Sequence, residues 1–453
     1  MISGAFFMQA VTETNRKWWL LGAVSCVLGL VLLDETVVGI ALPTIQKEFA
    51  LSNNEAHWVV NAYLLTFACF VAVGGKLADL YGVLRVFLIG LTVFALCSVA
   101  CGFAPSGGVL IAARALQGVG AAIIFPIFLA MVTMTFEKNV RGAAIATTGA
   151  VGTTFLALGP LVGGLFTDFL SWRWIFWINP VVSIAVAAVI TLSWRDVRRP
   201  AGQRIDWAGL MLIAAGMFCL VYALMEADGL GWGSPVILAL LAAGVLLLGL
   251  FWRVEGRLEA PLVEVKLFSS PVFSGSNLTI FTAQYAKMPL FVFVALYAQT
   301  DLKLSPFLAG VVVMLAPALQ PFTAAVCGRL ADKIPKRSQV LFGLGILSVS
   351  FLWLVATQAV NNVYLFAPGL LVAGLAFPFL FTPTRAAISE ALPAHKHGQG
   401  GGIAMTSQTI GGTVGLAVSS AAFALGGYGL VFAMTALLAA LTFVYAFFAF
   451  RGD

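Results

Sequence analysis

The sequence predicts an all-α polytopic membrane protein with fourteen transmembrane helices. Of its 453 residues, 61% are hydrophobic and only 10% are charged. A soluble domain of this length needs a charged surface, which this composition cannot supply. The apolar residues also fall into runs of about 20, the length at which a helix crosses the hydrocarbon core of a bilayer.

Each apolar run ends at charged residues or at Gly, Pro and Ser, so each run predicts one span. The first run follows Arg16 and Lys17 and is too long for a cleaved signal, which predicts a signal anchor. The predicted spans are 19–42, 57–75, 84–103, 109–134, 142–167, 173–194, 207–226, 235–252, 275–299, 307–328, 339–357, 363–384, 402–424 and 428–450.

Basic residues are distributed unevenly between the two sides of these spans. With the N-terminus inside, the outside segments contain only Lys47, Arg173 and Lys303 among the Lys and Arg residues. This asymmetry predicts a multi-pass protein of the cell inner membrane or plasma membrane with both termini cytoplasmic. The net charge of +6 therefore reflects topology, and no nucleic-acid partner is expected.

An internal repeat divides the chain. The segment GKLAD at 75–79, after the second span, recurs as GRLAD at 328–332, after the tenth. These equivalent positions predict two six-helix halves separated by a two-helix insert. The expected parts are an N-terminal bundle at 1–195, linkers and insert at 196–266, and a C-terminal bundle at 267–453. Such a duplication is typical of transporters whose halves rock about a midplane site.

Four segments resemble the major facilitator superfamily, and specifically its fourteen-span drug:proton antiporter branch. They are LDETVVGIALP at 33–43, GGKLADLYGVLR at 74–85, RALQGVG at 114–120 and GTTFLALGPLVGG at 152–164. The resemblance covers essentially the whole chain. It implies the major facilitator fold arranged as 6+2+6, and proton-coupled export of amphiphilic, cationic or neutral drugs and toxic compounds.

The sequence departs from the family pattern at a few positions. Gly39 stands where the family usually has Asn, and Val83 and Leu84 stand where it usually has basic residues. In the second copy of the repeat, Pro335 replaces the usual Gly. These departures are expected to loosen the gating loop without changing the superfamily.

Two intramembrane charges are the candidates for proton coupling. Asp34 lies in the first span, where facing lipid would be costly, and Arg114 lies in the fourth span at a similar depth. The family's fold places both spans along the central cavity. A contact between them that is made in one state and broken in another would let Asp34 bind and release a proton. The alternative is a static ion pair that fixes helix packing.

Two further motifs carry roles that the resemblance implies. The gating motif is expected to close the cytoplasmic side, or else to anchor the loop; its residues are Gly75, Asp79, Gly82 and Arg85, with Asp332 as the counterpart in the second half. The antiporter motif is typical of exporters, although close helix packing alone explains its small residues. Its residues are Gly152, Gly159, Pro160, Gly163 and Gly164.

Lys287 lies near the middle of the ninth span and faces the cavity in the implied fold. It is expected to couple to the proton, to pair with Asp34 across the cavity, or to attract an anionic group of the cargo. Glu35 is expected to cap a neighbouring cavity wall or to face the outer vestibule.

The predicted cavity wall combines aromatic and amide side chains, which suit bulky amphiphiles. These side chains are Asn61, Tyr63, Gln117, Phe125, Asn277, Gln284, Lys287, Phe291, Gln320 and Gln408.

Other chemistry is not indicated. No phosphate-binding G-x-x-x-x-G-K-[ST] segment occurs, and the six cysteines and the His395-Lys396-His397 segment do not form a metal-site pattern. The expected protein is therefore not an enzyme and needs no cofactor besides the proton gradient. Its expected partners are small amphiphilic substrates, protons and the bilayer, and it is expected to be a monomer. Two alternatives remain open: a dedicated exporter of one metabolite, with an anionic metabolite included, and a lipid flippase or non-transporting sensor on the same fold.

Overall fold

The computed structural model of the protein describes residues 15–194, 206–258, 261, 263–330, 333–392 and 397–451. All regular secondary structure in these ranges is helical. A chain in a bilayer must satisfy its backbone polar groups internally, and a helix does this within one segment.

The first eight helices alternate in direction. We call the end of the bundle where α1 begins the proximal end, and the end where α1 stops the distal end. These helices are α1 (Arg16–Glu48), α2 (Asn53–Tyr81), α3 (Val83–Gly102), α4 (Gly107–Thr135), α5 (Lys138–Phe169), α6 (Trp174–Ser193), α7 (Trp207–Leu230) and α8 (Pro235–Glu255).

The remaining helices are less regular. A 3₁₀ turn at Val265–Ser269 precedes α9, which combines the α-helix Pro271–Met288, a π-helical turn at Pro289–Phe293 and the α-helix Val294–Thr300. The other helices are α10 (Pro306–Ala318 and Gln320–Leu330, separated at Leu319), α11 (Lys336–Gln358), α12 (Val363–Glu390) and α13 (His397–Ala449). For reference, α1–α6 are called the first half and α9–α13 the second half.

Twelve helices in the described ranges are long and apolar enough to cross a membrane. The α2 helix is not among those twelve, and α13 contributes one candidate of 50 residues at Gly400–Ala449. The α13 backbone is not helical at Gly426 and Gly427, where φ is −155° and 62°. Each predicted span lies in a helix, whereas the count of fourteen crossings stays a prediction.

Local sequence fixes several helix starts. Ser52 and Glu55 form a capping box at α2, in which the Ser52 N–H donates to Glu55 Oε2 over 2.9 Å. Asp206 caps α7 by accepting from the Gly209 N–H over 2.9 Å. Proline at the first position begins α8 and α9, where its missing N–H costs nothing.

Several helices extend beyond the predicted spans; α2, for example, covers Asn53–Tyr81 against the predicted 57–75. α1 continues past Pro43 to Glu48, and α12 continues to Glu390 instead of stopping near residue 384. The α12 extension includes Arg385, which the sequence places in a loop. Hydrophobic runs mark the part of a helix in the hydrocarbon core, and polar turns extend the helix beyond that part.

The halves pack internally and against each other. Within the first half α1 packs on α5 and α2 on α4, and within the second half α9 packs on α13 and α11 on α12. The helices α7 and α8 pack together, and α7 also contacts α2 and α13. Trp58 Nε1 of α2 donates to Glu226 Oε1 of α7 over 2.8 Å, which anchors the predicted insert to the first half.

Contacts between the halves concentrate at the distal end. Gln299 Nε2 of α9 donates to the Ile40 carbonyl of α1 over 2.9 Å. The His57 ring of α2 lies 5.1 Å from the Phe293 ring and 6.3 Å from the Phe423 ring. These contacts hold α1 and α2 against α9 and α13 at that end.

Candidate functional site

Asp34 lies in a polar cluster that is fully buried inside the first half. Arg114 Nη1 of α4 donates to Asp34 Oδ2 over 2.5 Å, and Gln117 Nε2 donates to Asp34 Oδ1 over 3.1 Å. The side chains of Asp34 and Arg114 are both 0% exposed. The two residues thus meet at one depth, and Gln117, expected in the cavity wall, belongs to their cluster. Their role in proton coupling stays a prediction.

The sequence reading missed a third donor to this carboxylate. Asn179 Nδ2 of α6 donates to Asp34 Oδ1 over 3.0 Å and to Ser98 Oγ of α3 over 2.9 Å. Ser98 Oγ in turn donates to the Phe176 carbonyl over 2.8 Å. The signal in the sequence is a lone amide before Pro180 in an otherwise apolar run. Buried polar groups of this kind require partners, so Asn179 had to be bonded to something.

Arg114 is held by more than Asp34. Its Nε donates to the Val59 carbonyl over 3.1 Å, and its Nη1 also donates to Gln117 Oε1 over 2.8 Å. The guanidinium carbon lies 4.3 Å from the centre of the Tyr63 ring, a cation–π distance. Arg114 therefore keeps several contacts if Asp34 moves away, which a simple two-residue pair would not.

The antiporter motif brings α5 close to two helices. Gly152 faces Leu28 and Leu32 of α1, Gly159 lies against Thr36, and Thr36 Oγ1 donates to the Leu156 carbonyl over 3.1 Å. On the distal side, a Cβ atom at Gly164 would lie 2.8 Å from the Phe307 Cα of α10. Small residues thus allow α5 to contact both its own half and the second half. The other members, Pro160 and Gly163, lie next to Gly310 of α10 and Val37 of α1.

The structure describes the gating motif only in part. Gly82 has φ 99°, a conformation that favours glycine, and forms the turn between α2 and α3. Gly75 lies near Pro126 of α4, and Arg85 is exposed. Asp332 and the side chain of Asp79 lie outside what the structure describes. The expected gate stays a prediction.

Glu35 joins the two halves. It is 8% exposed, and Gln284 Nε2 of α9 donates to its Oε1 over 2.7 Å. Lys287, one turn further along α9, interacts electrostatically with Glu35. Asp34 is occupied by Arg114, Gln117 and Asn179, so Glu35 is the carboxylate neighbour of Lys287. Of the two acidic residues, Glu35 is therefore the one that Lys287 faces, although the two side chains form no ion pair.

Polar contacts continue from Glu35 across the second half. Gln408 Nε2 of α13 donates to Gln284 Oε1 over 3.5 Å, and Arg385 Nη2 of α12 donates to Gln408 Oε1 over 3.0 Å. Lys287 Nζ lies 5.3 Å and the Arg385 guanidinium 5.5 Å from the centre of the Phe381 ring. We call Lys287 and Arg385, with the contacting residues Gln284, Gln408, Phe377 and Phe381, the cation cluster.

The other predicted cavity residues are distributed over several environments. Asn277 accepts from Ser407 Oγ over 3.0 Å, and Phe125 packs edge-on against Phe67. Phe291 belongs to the π-helical turn of α9 and lies against Gly39. Asn61 and Gln320 are buried, and the Asn61 amide and Gln320 Nε2 have no hydrogen-bond partner among the described residues. Of the ten predicted cavity-wall residues, the structure thus brings Gln284, Lys287 and Gln408 together in the cation cluster and places the others elsewhere.

These observations define a helical membrane transporter built on two packed halves. Residues 24–261 and 276–453 match the Major Facilitator Superfamily, so the chain belongs to that family of transporters and is a multi-pass membrane protein, not an enzyme. A solved structure with the same fold is a bacterial homologue of the human lysosomal transporter Spinster, in an inward-facing and unoccupied conformation. The TM-score is 0.65 at 15% identity, with 97% of this chain and 98% of that chain covered.

Several similar proteins are named for resistance or export. The puromycin resistance protein pur8 of Streptomyces alboniger is 34% identical over 89% of this chain and 81% of its own length. The tetracenomycin C resistance and export protein of Streptomyces glaucescens is 30% identical, with coverages of 92% and 78%. The cephamycin export protein CmcT of Amycolatopsis lactamdurans is 34% identical, with coverages of 86% and 81%.

Proposed function

We propose that this transporter exports amphiphilic small molecules in exchange for protons, as a member of the fourteen-span drug:proton antiporter branch. The observation that carries the proposal is the buried Asp34–Arg114 pair with its additional donors. The names of the similar proteins support export of drug-like compounds. The aromatic and amide residues of the predicted wall suit amphiphilic cargo, which the family resemblance implies to be cationic or neutral.

The geometry suggests how the proton is coupled. A buried carboxylate that loses its cationic partner leaves an uncompensated charge, which costs about 3–5 kcal/mol. Asp34 therefore leaves Arg114 together with proton uptake and returns when the proton is released. Arg114 stays in place during this exchange because Val59 and the Tyr63 ring also hold it. No cofactor is needed, because the proton gradient supplies the free energy, and a monomer suffices.

The same proposal includes fourteen crossings arranged as 6+2+6, with both termini cytoplasmic and the distal end outside. A helix of 53 residues such as α13 is about 80 Å long, more than twice the roughly 30 Å of the hydrocarbon core. The non-helical backbone at Gly426 and Gly427 supports two crossings there. The rarity of Lys and Arg in the distal loops supports the orientation.

Inverted membrane vesicles test the coupling. The vesicles are energised so that their lumen is acidic, and the lumenal pH is followed after adding ethidium, puromycin or 2-naphthoate. Wild type should release protons on addition of at least one compound, and Asp34→Asn should not. Asp301→Asn, which removes an exposed distal carboxylate, is the matched control and should behave as wild type. Equal proton release by Asp34→Asn, at an equal protein level, would refute the coupling.

A further inference from the structure

Two cations of the second half converge on one aromatic ring. Lys287 on α9 and Arg385 on α12 lie 5.3 and 5.5 Å from the centre of the Phe381 ring. Phe377, one turn along α12, lies 5.6 Å from Lys287 Nζ. Phe377, Phe381 and Arg385 follow one another at four-residue spacing, so they share a face of α12. This face and Lys287 form a surface that is both aromatic and cationic.

The cation cluster carries more positive than negative charge. Among the described residues, neither Lys287 nor Arg385 has a carboxylate within ion-pair distance, and the hydrogen bond of Arg385 goes to the neutral Gln408. Glu35 is the one carboxylate that interacts electrostatically with Lys287, and it accepts a hydrogen bond from Gln284. The Asp34–Arg114 pair is neutral as a whole. Counted at formal charges, the cluster and Glu35 together therefore carry one net positive charge.

An anion bound between the two cations would relieve the repulsion between them. Lys287 and Arg385 interact unfavourably with each other. An anionic group between them would offset that repulsion, and a carboxylate or sulfonate can accept two hydrogen bonds from one guanidinium. Sites of unbalanced charge favour ligands of the opposite sign.

We infer that the cation cluster binds the anionic group of the cargo, with the cargo's aromatic part against Phe377 and Phe381. The expected cargo is thus an amphiphile with a carboxylate or sulfonate on an aromatic body. This inference rests on the proposed export function and changes its cargo class from the cationic or neutral compounds that the sequence favours.

The exposed member of the cluster lies near the proximal end of α12. Arg385 lies five residues from the proximal end of α12 and is exposed. Its contacts are with Gln408 and Phe381. Lys287 lies deeper and is 7% exposed. An anion would therefore meet Arg385 first and reach Lys287 after passing Phe381. In the proposed orientation this path begins in the cytoplasm, as export requires.

Three probes with the same aromatic body test the charge preference: 2-naphthoate is anionic, 2-naphthamide is neutral and 2-naphthylmethylammonium is cationic. Their binding is measured by isothermal titration calorimetry on the full chain in nanodiscs of zwitterionic lipid. Naphthoate should bind at least about tenfold more tightly than the other two, because each ionic hydrogen bond contributes about 1.4 kcal/mol or more, which is tenfold.

Variants assign the preference to the cluster. Lys287→Gln and Arg385→Gln should each weaken naphthoate binding by about tenfold and leave naphthamide binding unchanged. Lys287→Arg keeps the charge and should retain most of the affinity. Lys303→Gln removes an exposed cation at the distal end. It is the control, because it changes the net charge by the same amount as the two cluster variants.

Several results would overturn the inference. They are tighter binding of the cationic or neutral probe, absence of naphthoate binding, or naphthoate binding that both Gln variants leave intact. Loss of naphthoate binding in nanodiscs that contain phosphatidylglycerol would assign the cluster to a lipid headgroup instead. Because this assay measures binding alone, failure of the Asp34→Asn vesicle test would reject proton coupling without affecting the cluster.

Discussion

Glu35 and Gln284 connect the first and ninth helices by a buried hydrogen bond of 2.7 Å, across 249 positions of the sequence. The bond joins the two halves next to the Asp34 cluster, because Asp34 and Glu35 are adjacent in α1. A change at the proton site and a change between the halves therefore involve neighbouring residues. The amide of Gln284 also links this contact to Gln408 and the cation cluster.

The Glu35–Gln284 bond should stabilise the state in which the distal end is closed. Glu35→Ala and Gln284→Ala should each shift the equilibrium toward distal opening by about 1–3 kcal/mol. The two changes should be non-additive by about 1 kcal/mol. The measurement is the distance between spin labels at exposed Lys47 and Lys303, obtained by double electron–electron resonance.

The control for that measurement lies within one half. Thr282 and Thr442 share a buried hydrogen bond of 2.8 Å between α9 and α13. Thr282→Ala should lower thermal stability without changing the label distances. Unchanged distances in both Glu35→Ala and Gln284→Ala would show that the bond does not control the distal closure.

Asn179 should strengthen proton coupling by donating a hydrogen bond to the Asp34 carboxylate, while Asp34 itself binds the proton. Asn179→Ala removes one donor to a buried carboxylate, at a cost of about 1.5–3 kcal/mol, which corresponds to about a tenfold to hundredfold loss in substrate-driven proton release. Ser183→Ala removes a buried hydroxyl of the same helix that has no hydrogen-bond partner among the described residues. We expect proton release in Ser183→Ala to stay near wild type. An equal loss in both variants would mean that Asn179 acts through packing alone.

Glycine should be required at position 39 for full stability, because α9 lies directly against it. A Cβ atom at this position would lie 3.0 Å from the Phe291 carbonyl oxygen in the π-helical turn. Gly39→Ala should therefore destabilise the protein by about 1 kcal/mol or more, measured as a lower midpoint of thermal unfolding. At Gly22 of the same helix a Cβ would meet no atom within 4 Å, so Gly22→Ala should raise the midpoint slightly. The reverse order of the two midpoints would contradict this explanation.

Chemical labelling should place the two ends of the last crossing on opposite sides. Gly427→Cys and Arg451→Cys are introduced into a variant without the six native cysteines, all of which are free thiols. A membrane-impermeant maleimide should label position 427 from outside and position 451 only after permeabilisation. Gly427 has φ 62° and ψ −159°, a conformation that is essentially restricted to glycine, so the change costs about 1–3 kcal/mol and correct folding is checked first. Labelling of both positions from one side would exclude the fourteen-span arrangement.

Sequence alone predicted the features that helix geometry controls. The rise of a helix is constant, so the positions of Asp34 and Arg114 in their spans were enough to place them at one depth. Hydropathy likewise located each apolar run, because the bilayer fixes its length. The small residues of α5 predicted close packing since no larger side chain fits between helices in contact.

The partners within the site could not be predicted in the same way. Which amide reaches Asp34 depends on how α6 is rotated, and a single polar residue such as Asn179 does not reveal that rotation. Arg385 was missed because hydropathy ends the span at residue 384, although a long basic side chain can extend along an aromatic face. One of the alternatives for Lys287 was a pairing with Asp34. A rotation of about 100° separates Asp34 from Glu35 on α1, and Lys287 lies on the Glu35 side.

The break in α13 has a consequence for how the protein is made. No charged residue occurs between Gly400 and Ala449, and only two glycines interrupt the helix. The turn at 426–427 therefore contains no charged residue that would determine on which side of the membrane it stays during synthesis. The two parts of α13 on either side of this turn are suited to enter the bilayer together as a hairpin. Their orientation is set by the segments made before them and by Arg451 after them. Insertion of this hairpin thus depends on the earlier helices already being in place.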